Sequence, residues 1–278
     1  MSDLRVTLIQ TELHWEDPAA NRALLEARME ALDSTQTDLI VLPEMFATGF
    51  TMNAAALAEP AGSSASLAWL EQQARERGCA ITGSLAITEG GRAYNRMVWA
   101  EPGGRTLTYD KRHLFRMGEE PRHYAAGSRR RVVEYRGLRI LLAVCYDLRF
   151  PVWLRQQPPQ GEAFEYDLLL CVANWPAPRR RPWRTLLKAR AVENLSYVVG
   201  VNRIGQDGNG LVYSGDSLAV DFKGDPLVDH PPETPFVETV TLSAAALSSF
   251  RDTFPAWRDA DAFALTDFDD DLQSKDGQ

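Results

Sequence analysis

The sequence predicts an α/β fold in one domain with mixed sheets. Three observations lead there. Short β-rich runs alternate with helical stretches from the start, as in β-α-β units. Several runs are apolar nearly throughout, which marks strands covered on both faces. Adjacent strands meet at Gly-Gly turns, which sets antiparallel hairpins beside the parallel units.

The first unit runs from the strand RVTLIQ through a helix entered at Asp17-Pro18, reaching about Ala31, to the strand DLIVLPE. A second helix passes through Leu67 to Arg77, is stopped by Gly78, and leads into the strand CAITGSLAI. Between Arg92 and Asp110 the pattern becomes a meander, YNRMVWA then RTLTYD. A long polar loop follows from Lys111 to Ser128, and loops of that length inside a compact domain are often functional. RVVEY and LRILLAV pair around Arg136-Gly137, and the second of them runs into Cys145. Then come the strand YDLLLCVAN, the proline-rich WPAPRRRP, and a helix WRTLLKARAVENL whose Trp183, Leu187, Ala191 and Leu195 share one face. Strands YVVGVN, DSLAVDF and FVETVTL complete the regular elements. No linker or repeat interrupts them, so residues 1–265 are expected to form the domain and 266–278 an acidic tail.

Composition narrows the function. Hydrophobic residues are 45% and charged residues 24% of 278, ordinary for a globular protein. A net charge of -8 repels polyanions and argues against nucleic acid as a partner. The clusters Arg129-Arg130-Arg131 and Arg179-Arg180-Arg181 read as solvated turns or interface patches. No stretch has the length of a membrane span or the pattern of a signal peptide, so a soluble cytoplasmic protein is expected. Three cysteines, at spacings that fit no metal motif, are expected to be reduced thiols, with Cys79 and Cys171 in the core.

Chemistry concentrates at strand ends. Glu44 follows LIVLP, Lys111 follows TLTYD and Cys145 follows LLAV. Taken singly, each has a structural reading: a strand-end charge, a surface cation, a core filler. Sites in α/β sheets form beyond the carboxyl ends of strands, so three strands can deliver these groups to one place. A thiol at a strand-to-helix turn would sit near N-terminal N–H groups that favour the thiolate. It would then need a base and an oxyanion device. His113 and His123 keep a papain-like Cys-His arrangement open.

The segments LPEMFATGF, YDKRHLF and AVCYDLRFP resemble the three signature blocks of the nitrilase superfamily of carbon–nitrogen hydrolases, in the same order. The resemblance runs from RVTLIQ to DSLAVDFKGD. It implies a four-layer α-β-β-α sandwich that pairs into dimers or higher homo-oligomers. It implies Cys145 as nucleophile, Glu44 as general base and Lys111 as oxyanion stabiliser, with the Tyr146 backbone N–H as second donor. Glu120 matches the second glutamate of the family, with Glu119 the competing choice. No metal and no organic cofactor has a part in such chemistry, whose partners are a small amide and water. On this reading Lys111→Ala silences turnover and spares the fold.

CYDLRFPVW, VANWPAPR and FPAWRDADAF are most similar to the bacterial omega-amidases, which hydrolyse short dicarboxylic monoamides such as 2-oxoglutaramate or succinamate through a cysteinyl thioester. Such a substrate needs a cation or donors for its carboxylate, and Arg149, Arg116, Tyr146 and Trp175 are the candidates. Arg149 also reads as a tie between the turn and an acidic neighbour, and Trp175 as a lid on Pro176 and Pro178. The alternatives are a nitrilase or N-carbamoyl amidase using the same three residues, and a non-catalytic binding protein on the same fold.

Overall fold

The computed structural model describes residues 3–30, 32, 36–160 and 162–265. The tail expected over 266–278 lies outside the described residues.

Two sheets share one construction, three parallel strands at the centre and antiparallel strands at the flanks. In the first, Leu4–Gln10, Leu39–Val41 and Ala80–Glu89 run parallel. Phe236–Leu242 adds on one side, and Arg92–Ala100 and Thr106–Asp110 form the expected meander on the other. In the second, Leu138–Val144, Leu168–Ala173 and Tyr197–Asn202 run parallel. Val132–Tyr135 closes one edge, and Leu218–Val220 and Pro226–Asp229 the other.

Strand periodicity makes the layers. Leu4, Val6, Leu8, Leu39 and Val41 point to one face of the first sheet and pack with the second sheet in a single core. Ile9, Ile40 and Ile81 point the other way, onto Leu25 and Met29 of the helix Pro18–Glu30 and Leu70 and Ala74 of the helix Ala65–Arg77. Trp183, Leu187 and Ala191 of the helix Arg180–Asn194 join the core on the second sheet. The result is helix, sheet, sheet, helix, the sandwich expected. Gly200 permits the last contact, since a Cβ there would stand 2.6 Å from Leu187.

Local turns follow their residues. Arg136 and Gly137 have φ of 52° and 82°, the paired left-handed turn that suits a hairpin's twist. Helix Arg180–Asn194 begins three residues before Trp183, because Pro182 is tolerated in a first turn. It also ends one residue early, with Leu195 left-handed at φ 48°. The regular elements do not stop at FVETVTL: Ala244–Thr253 is a helix, capped by Ser243. Only Ala244, Leu247 and Arg251 are buried along it, too sparse an apolar stripe to mark a helix in the sequence. Among the described residues no helix is long and apolar enough to cross a membrane.

Candidate active site

The parallel strands end on one side of the sandwich, and tight turns there aim the side chains. Beyond Leu39–Val41, Glu44 precedes Met45, which takes φ 43° and anchors its N–H on Ser84 Oγ at 2.8 Å. Lys111 extends the meander, its N–H donating to Asn95 O. Its own carbonyl accepts from Gly127 N–H, folding the long loop back on itself. No side chain fits at Gly127, where a Cβ would meet Asp110 O at 2.1 Å. Cys145 follows Leu138–Val144 at φ 46°, a strained conformation for a non-glycine residue, and opens the short 3-10 turn Cys145–Arg149.

Glu44, Lys111 and Glu120 are all fully buried. Lys111 Nζ donates to Glu44 Oε1 at 2.9 Å and to both oxygens of Glu120 at 3.0 Å. Asn95 Nδ2 bridges the same two carboxylates at 2.7 and 3.1 Å, and its own oxygen accepts from Ser84. Glu44 Oε2 accepts the Asn174 N–H at 2.7 Å, and Glu120 Oε2 accepts the Phe115 N–H at 2.6 Å. Position separates the two neighbouring glutamates. Glu120 is in the network, while Glu119 turns outward at φ 59° to pair with Arg122.

Burial works against the Lys111 ammonium, but Glu120 and Glu44 outweigh it and hold its pKa well above the lysine value. Glu120 is pushed up by burial and by Glu44, against the pull of Lys111. Burial also drives the Cys145 thiol well above its usual value, and Glu44 adds to this while Lys111 opposes it. The preference for thiolate expected from a helix N-terminus is therefore opposed by burial and by Glu44. Only a five-residue 3-10 turn follows Cys145, and a buried carboxylate neighbours it. Removing Lys111 would strand two carboxylates in the interior, so Lys111→Ala should cost stability as well as turnover, against the expectation that it spares the fold.

Asp147 fixes the turn. It accepts the Val144 N–H, the Tyr109 hydroxyl and the His113 N–H, and contacts His113 Nδ1 at 2.8 Å. His113 also stacks on Phe150, 3.8 Å between centroids. Neither His113 nor His123 lines the cavity that holds Cys145, so no Cys-His pair forms there. Cys79 and Cys171 are core residues, and all three cysteines are free. Among the described residues no group of three or more His, Cys, Asp or Glu could hold a metal ion.

The Cys145 cavity measures about 280 Å³, small enough for a short substrate. Its walls include Phe50, Phe115, Tyr146, Trp175, Arg149 and Arg179. Hollows of about 680 and 920 Å³ lie elsewhere on the surface, but neither reaches Cys145, Glu44 or Lys111. Arg149 and Trp175 both line this cavity, the guanidinium 5.1 Å above the indole. Arg149 is not the expected tie to an acid, since no carboxylate pairs with it among the described residues. Arg116 does not line the cavity. Phe115, Met117 and Gly118 line it instead, and Arg116, at the start of the 3-10 turn Arg116–Gly118, is exposed.

Sequence reasoning missed Asn95 and Arg179. Asn95 had a signal, a lone amide within the apolar run YNRMVWA. Arg179 was hidden in an arginine cluster, although it closely follows the end of the strand Leu168–Ala173. Nearby Arg180 and Arg184 pair with carboxylates instead, Arg180 with the buried Asp216 and Arg184 with Asp216 and Asp229.

Comparisons with known proteins give the family. Residues 5–252 match the family model described as carbon–nitrogen hydrolase. The omega-amidase YafV of Escherichia coli is 46% identical over 95% of this chain and 100% of its own length. The 2-oxoglutaramate amidase of Bacillus subtilis is 32% identical, covering 91% and 96% respectively. A Xanthomonas campestris CN-hydrolase superfamily protein, crystallised with an arsenic adduct in its active site, superposes with a TM-score of 0.92. It is 48% identical, over 96% of this chain and all of that one.

Proposed function

We propose that this chain, which belongs to the carbon–nitrogen hydrolase family, is an omega-amidase-like enzyme that hydrolyses the terminal amide of short dicarboxylic acid monoamides. Substrates are of the 2-oxoglutaramate or succinamate type, and the products are the acid and ammonia. One observation carries the reading: Cys145 opens into a small cavity with Arg149 in its wall, beside the buried Glu44–Lys111 pair. Relatives named omega-amidase and 2-oxoglutaramate amidase support the substrate class.

Glu44 takes the thiol proton as Cys145 Sγ attacks the amide carbon. The thiol's raised pKa makes this transfer part of the attack rather than a preceding step. The carbonyl electrons move to oxygen, and the oxyanion is held by Lys111 Nζ and the Tyr146 N–H. Collapse breaks the C–N bond, and ammonia leaves with the proton from Glu44. A thioester remains. Water, giving a proton to Glu44, attacks it; the second oxyanion collapses to the free acid, and the sulfur regains its proton. Glu120 and Asn95 hold Lys111 and Glu44 in place throughout. Residues 1–265 act as one hydrolase domain in a cytoplasmic homo-oligomer.

Ammonia release from succinamate and 2-oxoglutaramate tests the reading, with mass spectrometry of the acyl-enzyme after acid quench. Wild type should turn over both and carry the acyl group on Cys145, and Cys145→Ala should do neither. Inert monoamides beside hydrolysis of a nitrile or carbamoyl compound would assign the same residues to the alternative chemistry.

A further inference from the structure

Two arginines line the Cys145 cavity, and they differ from Arg180 and Arg184 nearby. Arg180 and Arg184 are matched by Asp216 and Asp229. Arg149 and Arg179 have no carboxylate partner among the described residues. Each lies instead over an aromatic face, Arg149 5.1 Å from the centroid of Trp175 and Arg179 5.2 Å from that of Phe115. The acid in the same wall, Asp207, is not available to them. Its Oδ1 accepts the N–H groups of Asn209 and Leu211, and its Oδ2 accepts the Tyr213 hydroxyl, all at 2.9 Å.

Trp175 links the pair. Its ring supports Arg149, while its Nε1–H donates to the Arg179 carbonyl at 2.8 Å. The tryptophan is itself fixed, 3% exposed, with its N–H on Asn202 Oδ1 at 2.8 Å and its carbonyl accepting from Asn202 Nδ2 at 2.9 Å.

We propose that Arg179, with Arg149, is the receptor for the substrate's free carboxylate, and that Trp175 is the positioning residue that holds both arginines at the cavity. This rests on the monoamide reading above and assigns to it a residue the sequence had placed among surface charges. Two planar donors on aromatic supports suit a carboxylate, which accepts paired N–H bonds. The two guanidiniums carry one positive charge more than the wall's one acid, Asp207, balances, and the ligand's carboxylate offsets that excess.

The test compares kcat/KM for succinamate and for 4-oxopentanamide, in which an acetyl group replaces the carboxylate. Arg179→Met should lower succinamate turnover about 10- to 100-fold more than turnover of the neutral amide, the range for a lost charge-assisted hydrogen bond, chiefly through KM. Arg179→Lys keeps the charge without the fork and should fall between wild type and Arg179→Met. Trp175→Phe keeps a ring below Arg149 but loses the bond to the Arg179 carbonyl, and should also fall between them. Thermal melting of each variant accompanies the kinetics. Equal losses on the two amides, or an unchanged succinamate KM in Arg179→Met, would overturn the receptor. If wild type itself handled the neutral amide as well as succinamate, the monoamide reading would fail first.

Discussion

Behind Asn174 in the cavity wall lies a buried floor, where both oxygens of Glu44 and both of Glu120 are hydrogen-bonded within the protein and Lys111 Nζ donates to both carboxylates. In the wall, Arg149 and Arg179 rest on aromatic rings with no carboxylate paired with them among the described residues. The difference separates two tasks. Groups that must act on a developing charge gain from being fixed before substrate arrives, because no reorganisation is then needed at the transition state. Groups that recognise a ligand need donors left over for it. A floor fixed from inside and a wall whose cations lack paired acids divide chemistry from selection around one small cavity.

The largest effect should come from breaking the floor. Lys111→Ala removes an oxyanion donor, worth about 10²–10³ in rate. It also leaves buried carboxylates without their ammonium, which costs about 3–5 kcal/mol when one partner of a buried pair is deleted. Chemical denaturation and succinamate turnover should both report the loss. A variant that lost activity with unchanged stability would mean that the two carboxylates are not held as charges in the folded protein.

A smaller effect, and one whose sign is set by charge, is expected at the thiol. Burial raises the Cys145 pKa first, and the Glu44 carboxylate raises it further. Glu44→Gln removes that negative charge and leaves the Lys111 ammonium, so the thiolate should form at lower pH. The pH profile of Cys145 alkylation by iodoacetamide should shift down while amide turnover collapses for want of a base. A profile that stayed in place or moved up would show that Glu44 does not govern the thiol's charge.

Much of this was legible in the sequence, for reasons that can be stated. Parallel strands such as LLAV and LIVLP are apolar because both faces are covered, so an ionisable residue at their ends stood out. The helix Ala244–Thr253 did not stand out, because its buried face is only Ala244, Leu247 and Arg251. Arg116 and Arg179 could not be sorted from sequence. Each lies in or beside a 3-10 turn, where one residue of offset decides between cavity and solvent. Asp147 could be seen to fix its turn, but not that it also receives Tyr109 and His113 from the neighbouring sheet and loop.

That last contact supplies the mildest test, because it concerns a region that belongs to neither floor nor wall. His113 with Asp147 has the look of an acid-base dyad, and a cysteine lies two residues before the aspartate. The geometry puts the pair to another use. Asp147 gathers the Val144 N–H just ahead of the nucleophile and the His113 N–H two residues past Lys111, joining the turn of one to the loop of the other. The imidazole is stacked flat on Phe150 at 8° and meets Trp153 edge-on, so it serves as a buttress outside the cavity. His113→Phe keeps the stacking and loses one hydrogen bond to a buried carboxylate, a stability change of about 1.5–3 kcal/mol. Turnover should fall only a few-fold, since Cys145, Glu44 and Lys111 keep their own contacts. A loss as deep as that of Cys145→Ala, with Glu44→Gln still active, would move the base from the floor to the buttress and restore the Cys-His mechanism.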